Sequence, residues 1–501
     1  MRSQVHYGLS DPNWLFDDMN FQENIHIRSP HLRVLLDISY TISSSKTSGI
    51  ERVVRNICSN WSDLLSKSEV ELIHVVSYTG KFYQVTKQLE VAFSRQSGFN
   101  RNVFAMLPKT YQIVARALHR LLPMTCIQRW FLPEPGHLGI FKPFAELNER
   151  RIRRGIGKLP FISDISKQDL ILMPDAYWTE MQALDAAQEA RLKGATVVVL
   201  IYDLIPLTHP ETVGVKRSRD FFEYFKKACM SADALVAISK TVQEEVRDAI
   251  PRMLLRGSIV KEHSLCFDVH SFRLGADLPI TSQSTLSSKH LTARQSEVNS
   301  RIIEAFSSEC SSEKPYLMVS AFDPRKNHQY VLDVFDLLWK QDPKIRLCLI
   351  GRKGSLCDEV LYRIANHPRL NQSLFVFHQA SDIDLAYCYK HAAAALMPSI
   401  AEGFGLPIVE SLHMGCVTMA SDIPVHREVG QSSCEYFDID APESLAEMIV
   451  KHRTAAIAGT LTARPVYLPT TWRQSAEELF GLCLMIYRQN RHEKNLKAQA
   501  A

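Results

Sequence analysis

Two doubly wound α/β domains, each a parallel sheet, facing one another across a cleft, form the fold class that this sequence predicts. Three observations predict it. The runs LRVLLD, LILMP, ATVVVLIYD, ALVAIS, KIRLCLIG and AALMPS are apolar almost throughout, as strands buried on both faces of a parallel sheet must be. Segments of helical period alternate with them. The alternation stops once, near residue 278, at the polar, Ser- and Thr-rich stretch PITSQSTLSSKHLTARQSEVNS, and then restarts. A chain of 501 residues is also too long for one ordinary domain.

Each element follows from its residues. LRVLLD reads as the first buried strand, SYTISSSKTSG as a polar loop, and IERVVRNICSNWSDLL as a helix with Ile50, Val53, Val54, Ile57 and Trp61 on one face. Strand, glycine-bearing loop and helix make the opening unit of a doubly wound sheet. LIHVVSY, LILMP, ATVVVLIYD and ALVAIS continue the series. After the break come the strand YLMVSAF, the helix HQYVLDVFDLLWKQ, the strand KIRLCLIG, the helix EVLYRIANH, the strand LFVFH, the helix DLAYCYKHA and the strand AALMPS. The organisation expected is a tail over residues 1–30, an N-terminal domain over 31–277, a linker over 278–312 and a second domain over 313–470. A C-terminal helix and tail over 471–501 should cross back to the first domain. Residues 80–165 do not fit the scheme. Their helical, basic pattern suggests an insertion, and Glu134, Glu146 and Glu149 are its only acids between Arg101 and Lys158.

Composition narrows the function classes. With 46% apolar and 22% charged residues the chain can bury large cores, and a net charge of +4 argues against a dedicated nucleic-acid binder. No apolar run reaches the length of a membrane span, and the N-terminus lacks the apolar core of a signal peptide. Eleven cysteines without a CxxC pair fit reduced thiols better than a disulfide framework or a zinc site. A cytoplasmic protein is expected, with the insertion a candidate for docking on the inner face of an anionic membrane.

The chemistry concentrates at four strand ends of the second domain. Arg325 and Lys326 follow YLMVSAF, where two cations can counter a diphosphate at roughly 1.5–3 kcal/mol per charged hydrogen bond. Gly351-Arg352-Lys353-Gly354 follows KIRLCLI, and His378-Gln379 follows LFVF. The stretch SIAEGFGLPIVESLHMGC follows AALMP. It places Pro407 in the first turn of a short helix and Gly415 just past its end. The free amides of that helix face the Gly403-Phe404-Gly405 turn, which makes an anion site with Glu402 before it and Glu410 inside it.

With these residues the second half resembles the donor domain of family 4 glycosyltransferases of the GT-B fold. The family's motif, a glutamate, seven residues and a glutamate, stands as Glu402-GFGLPIV-Glu410. SAFDPRKNH, LIGRKG, GCVTMASDIPVHREVG and TWRQSAEEL match as well. The first half resembles a bacterial subgroup through LLDIS…TSGIERVVRNI, IYDLIPLTHPE, ALVAISKTV and FRLGADL. The resemblance implies the transfer of mannose or a related sugar, GDP-mannose being a donor of that type, to a lipid-linked or growing surface glycan with retention of configuration. It implies Glu402 on the donor sugar, Glu410 on the ribose, and the amides of Phe404, Gly405 and Leu406 on the distal phosphate. Arg325 and Lys326 would meet the diphosphate, Gly49 would leave room across the cleft, and Asp203 would orient the acceptor or the forming oxocarbenium. Tyr202 stands where many relatives have histidine, so it and His209, seven residues on, are the candidate acceptor contacts. No metal or other cofactor is expected. The competing readings are a metal-dependent transferase using Asp382-Ile-Asp384 or Asp438-Ile-Asp440, a non-catalytic glycan- or membrane-binding scaffold, and hydrolysis or epimerisation of a nucleotide sugar.

Overall fold

The computed structural model describes residues 32–43, 49–66, 68–86, 156, 159–255, 268–275, 298–307, 313–461, 467 and 469–500. Thirteen strands among them form two sheets. The first runs β3(Lys81–Gln84), β2(Glu71–Tyr78), β1(Arg33–Asp37), β4(Asp169–Met173), β5(Thr196–Ile201), β6(Ala234–Ala237), β7(Val269–Ser271). Every pairing in it is parallel except the β2–β3 hairpin. The second is parallel throughout, in the order β10(Leu374–Phe377), β9(Leu347–Ile350), β8(Tyr316–Val319), β11(Ala395–Met397), β12(Thr418–Ser421), β13(Glu435–Phe437). Strand order reverses between β1 and β4 in one sheet and between β8 and β11 in the other. Such a reversal opens a crevice beyond the carboxyl ends of the two strands.

The strands are where continuous burial was legible: β4, β5 and β6 are buried at every position. Other segments differ from expectation. SYTIS is not loop but a short helix, Ser39–Ser43, begun by Asp37, which accepts from the Ser39 amide at 3.0 Å and its hydroxyl at 3.1 Å. Ser300–Phe306, inside the stretch read as linker, is a helix. The Asn299 side chain caps it, and Ile302 and Phe306 bury it in the second domain. At the edges of the supposed insertion, β3 extends the first sheet and Tyr83 bridges to Phe161. The basic helical pattern itself, with its membrane-docking arginines, and the rest of the linker lie outside the described residues.

The helix Trp472–Ala500 follows the second domain but packs on the first. Leu479, Phe480, Cys483 and Ile486 enter the first core, Trp61 donates its indole N–H to the Ala476 carbonyl at 2.9 Å, and Phe480 meets Trp61 edge-on at 5.4 Å. No described helix is long and apolar enough to cross a membrane.

Candidate active site

The loops after β8 and β11, either side of the reversal in the second sheet, build the site. After β8 the chain makes a single 3-10 turn, Pro324–Lys326, ended by Asn327 in the left-handed region at φ 59°. After β11, Ser399 to Gly405 leads into the helix Leu406–His413, with Pro407 in its first turn and Gly405 at φ 91°. Ile400 N donates to the Arg325 carbonyl at 2.8 Å, so the two loops are tied by backbone.

Glu402 is the centre. Its Oε2 accepts from Arg325 Nη1 at 2.7 Å, its Oε1 accepts from Ser399 Oγ at 2.7 Å, and Lys326 Nζ donates to the same Oε1. Burial alone would push this carboxyl up, but Arg325 and then Lys326 together hold it well below the usual carboxylate range. Burial and the adjacent Arg325 guanidinium push the Lys326 ammonium down. The expected partners of a diphosphate are therefore already partners of the glutamate, and an arriving anion would share them. Around this ion cluster the amides of Phe404, Gly405 and Leu406 donate to no other described residue, as expected at a helix start. Of these, Lys326, Ser399, Glu402 and Gly405 line one pocket with Ser320, Pro407 and His426.

Glu410 lies one turn into the helix and is buried. Tyr389 donates its hydroxyl to Oε2 at 3.2 Å, and Arg52, from the helix Gly49–Leu65 of the N-terminal domain, donates to Oε1. The carboxylate implied for the ribose is thus held from across the cleft. The Gly403 turn also meets the other domain. A methyl group on Gly403 would lie 2.0 Å from the Tyr202 carbonyl oxygen, and Ser239 Oγ donates to the Gly403 carbonyl at 2.8 Å. Phe404 and Leu406 pack against both cores. Glu428 completes the contact by accepting from the Lys240 and Thr241 amides at 2.7 and 2.8 Å, at the start of the helix Lys240–Leu255.

Asp203, at the end of β5, lies opposite the cluster. Burial pushes its carboxyl up while Arg325 opposes that, and its Oδ1 accepts from the Ile205 amide at 3.1 Å. Tyr202 is a core residue: it is buried, and its hydroxyl donates to the Pro174 carbonyl at 2.5 Å. Together with Asp203, Trp178, Phe221 and Tyr224 it lines a small aromatic pocket. His209 is half-buried against Thr208 Oγ1 at 2.9 Å. Arg352 is exposed beyond β9, outside the ion cluster, and His378 and Gln379 are exposed beyond β10. Among the described residues a side chain at Gly49 would meet Leu406, at 3.9 Å, across the cleft. Asp384 is occupied in a capping box, accepting from Ser381 N and Oγ at 2.8 Å and from Asn299 N at 2.8 Å. Asp438 accepts from the Asp440 amide at 2.9 Å.

Sequence reasoning missed Arg52, Tyr389, Ser399, Ser239 and His426. Ser399 lies three residues before Glu402 and was within reach of a local search. Arg52 is 358 positions from Glu410, and no sequence pattern pairs them.

An open helix start, two cations and two buried carboxylates thus meet between two Rossmann-like domains, a set of groups suited to a bound anion. Residues 301–450 match the family described as "Glycosyl transferases group 1". The chain is 29% identical over 289 residues to a "Serotype-specific mannosyltransferase WbdA" of Escherichia coli, covering 58% of this chain and 34% of that one. It is 29% identical over 133 residues to an "O-antigen chain mannosyltransferase RfbU" of Salmonella typhimurium, covering 26% and 36%. The chain thus spans about a third of the length of these relatives. Among solved structures, HepE of Anabaena in complex with UDP and glucose aligns with 93% of this chain and 100% of its own, at 14% identity and a TM-score of 0.46.

Proposed function

We propose that this protein is a retaining glycosyltransferase that moves a hexose, mannose or a close relative, from a nucleotide diphosphate sugar to a glycan acceptor in surface polysaccharide synthesis. The observation that carries this is Glu402 held between Arg325 and Lys326 at the N-terminus of the Leu406–His413 helix. An anion entering that place meets two cations and unpaired amides, while a sugar attached to it meets a carboxylate able to accept from two hydroxyls. The bond from the anomeric carbon to the phosphate oxygen breaks as the bond to the acceptor oxygen forms. The acceptor proton passes to the departing phosphate on the same face. Arg325, Lys326 and the helix start stabilise the charge that develops on the diphosphate, worth several kcal/mol of barrier. Asp203, across the cleft, orients the acceptor. Relatives described as mannosyltransferases support mannose as the sugar, and a lipid-linked acceptor met at an anionic membrane surface extends the same reading.

The reaction needs no metal in this reading, because the cations supply the positive charge. The test is incubation with a panel of nucleotide sugars and a glycan acceptor while nucleotide release is followed. Release from one sugar, dependent on acceptor, is expected. No release from any of them would end the transferase reading, and binding without turnover would favour a scaffold.

A further inference from the structure

His426 belongs to none of the roles above, yet it lines the same pocket as Lys326, Ser399, Glu402 and Gly405. It sits on the helix Pro424–Gly430 after β12 and is only 1% exposed. Its hydrogen bonds fix its tautomer. Ser421 Oγ lies 2.6 Å from the Ser399 carbonyl oxygen, which can only accept, so the one hydroxyl proton is spent there. His426 Nδ1 lies 3.0 Å from that same Oγ and 3.1 Å from the Ser421 carbonyl oxygen. Neither oxygen has a proton to give, so Nδ1 carries the ring proton and donates to both. Nε2 is left as a bare lone pair without a partner among the described residues. Its place is set by Gly405: a methyl group on that glycine would lie 3.6 Å from His426 Cδ2 and 3.8 Å from Nε2. The free edge of the ring therefore lies under the Gly403–Leu406 turn, at the pocket. Burial pushes the imidazole down to about 4, so it stays neutral at neutral pH although Glu402 pulls the other way.

A neutral ring with a bare Nε2 cannot donate to a phosphate oxygen. It can only accept, and in a nucleotide sugar the protons offered beside Glu402 are those of the sugar hydroxyls. We propose that His426 Nε2 reads the transferred sugar by accepting a hydrogen bond from one of its hydroxyls, so that His426 and Glu402 together select the hydroxyl pattern of the donor. This rests on the transferase reading. A site built to hydrogen-bond a hydroxyl discriminates against the analogue that lacks it, because the acceptor is then left buried and unpaired.

Titration calorimetry on the full chain tests it, with UDP and GDP compared against UDP-glucose and GDP-mannose. His426→Gln restores an acceptor oxygen near the Nε2 position, and His426→Phe fills the ring volume without one. In the Phe variant, affinity for the nucleoside diphosphate should stay within about twofold of wild type while affinity for the nucleotide sugar falls roughly tenfold or more; Gln should recover part of the loss. A second arm uses monodeoxy analogues of the bound nucleotide sugar. One deoxy position should weaken binding to the wild type yet cost nothing further in the Phe variant, a coupling that a folding defect does not imitate. Equal loss of diphosphate and nucleotide sugar, no loss of either, or no coupled deoxy position would each overturn the proposal. Wild-type protein that binds the diphosphate but turns over no nucleotide sugar would instead overturn the transferase reading, and the proposal with it.

Discussion

Glu402 and Glu410 are both buried carboxylates tied to cations, but their partners differ and so should their variants. Glu410 is met by Arg52 and Tyr389, away from the two-cation cluster, so Glu410→Gln should raise the KM for the donor more than it lowers kcat. Glu402 touches both cations proposed to face the leaving diphosphate, so Glu402→Gln should mainly lower kcat. Each loss is expected to be about ten- to a hundredfold in kcat/KM, the worth of a charged hydrogen bond. Steady-state kinetics showing wild-type constants for both variants would undo the assignment. Arg325→Ala and Lys326→Ala should each lower kcat by a larger factor, because the charge that they meet grows as the sugar leaves. If they serve as the only cations, activity should persist in a chelator. Loss in chelator with recovery on adding manganese would reverse that. At this scale the sequence showed the residues that follow their own strands closely, Arg325, Lys326 and Glu402. It could not show Arg52, Tyr389 or His426, because their roles depend on neighbours brought together only by the fold.

Strand ends and turns set the next scale. The apolar runs revealed the sheets because a strand buried on both faces has no polar alternation to disguise it. They did not reveal β3, an edge strand with the mixed pattern KFYQ, or the Ser39–Ser43 helix, whose start depends on Asp37. That aspartate ends β1, and Asp175 follows β4, beside the reversal in the first sheet. Burial pushes Asp37 up to about 6 and Asp175 up to about 7, from an ordinary value of 3.8. The folded state therefore holds protons that the unfolded chain has already released. The contribution of these two acids to stability is whole below about pH 4 and is lost as pH rises through 6 and 7. Glu402, held low, acts with the opposite sign and only in acid, so it is silent above about pH 5. The buried His328 and His426, pushed down to about 3 and about 4, act with the opposite sign in the same window, so the aspartate contribution is read as a difference: between pH 5 and pH 7 the melting temperature of Asp175→Asn should rise relative to that of wild type. An unchanged slope in that variant would remove Asp175 from the account. The Gly403 turn makes a sharper claim. A methyl group 2.0 Å from the Tyr202 carbonyl oxygen cannot be accommodated without the turn or the facing domain giving way. Gly403→Ala should lower kcat at least about tenfold, because the cleft can no longer close to this geometry, while the melting temperature changes little. Wild-type turnover in this variant would show that catalysis does not use the closed contact.

Across the whole molecule the chain passes from the first domain to the second and back, so the first core is not contiguous in sequence. Trp61 and Phe480 are the joint: both are buried, their rings meet edge-on at 5.4 Å, and the Trp61 indole N–H is satisfied only by the Ala476 carbonyl of the returning helix. Asn490 adds a hydrogen bond to Thr196 Oγ1 at 3.0 Å, and Arg273 pairs with Glu478 at the crossing. The sequence led to the expectation of a C-terminal helix that returns to the first domain, but the residues that it meets there followed only from the packed structure. Because the loops proposed to bind phosphate and the returning helix sit on different cores, their defects should separate. Phe480→Ala removes a fully buried ring from the first core and should cost about 3–5 kcal/mol there. The helix should loosen from Trp61, and the N-terminal domain should unfold in a distinct, earlier transition. The cation cluster at Glu402 contacts neither residue, so a nucleoside diphosphate should still raise the temperature of the later transition by its usual amount. Differential scanning calorimetry with and without nucleotide reads both at once. A single transition lowered as a whole, with the nucleotide shift lost, would mean that the two domains fold as one unit and that the returning helix supports the donor site directly.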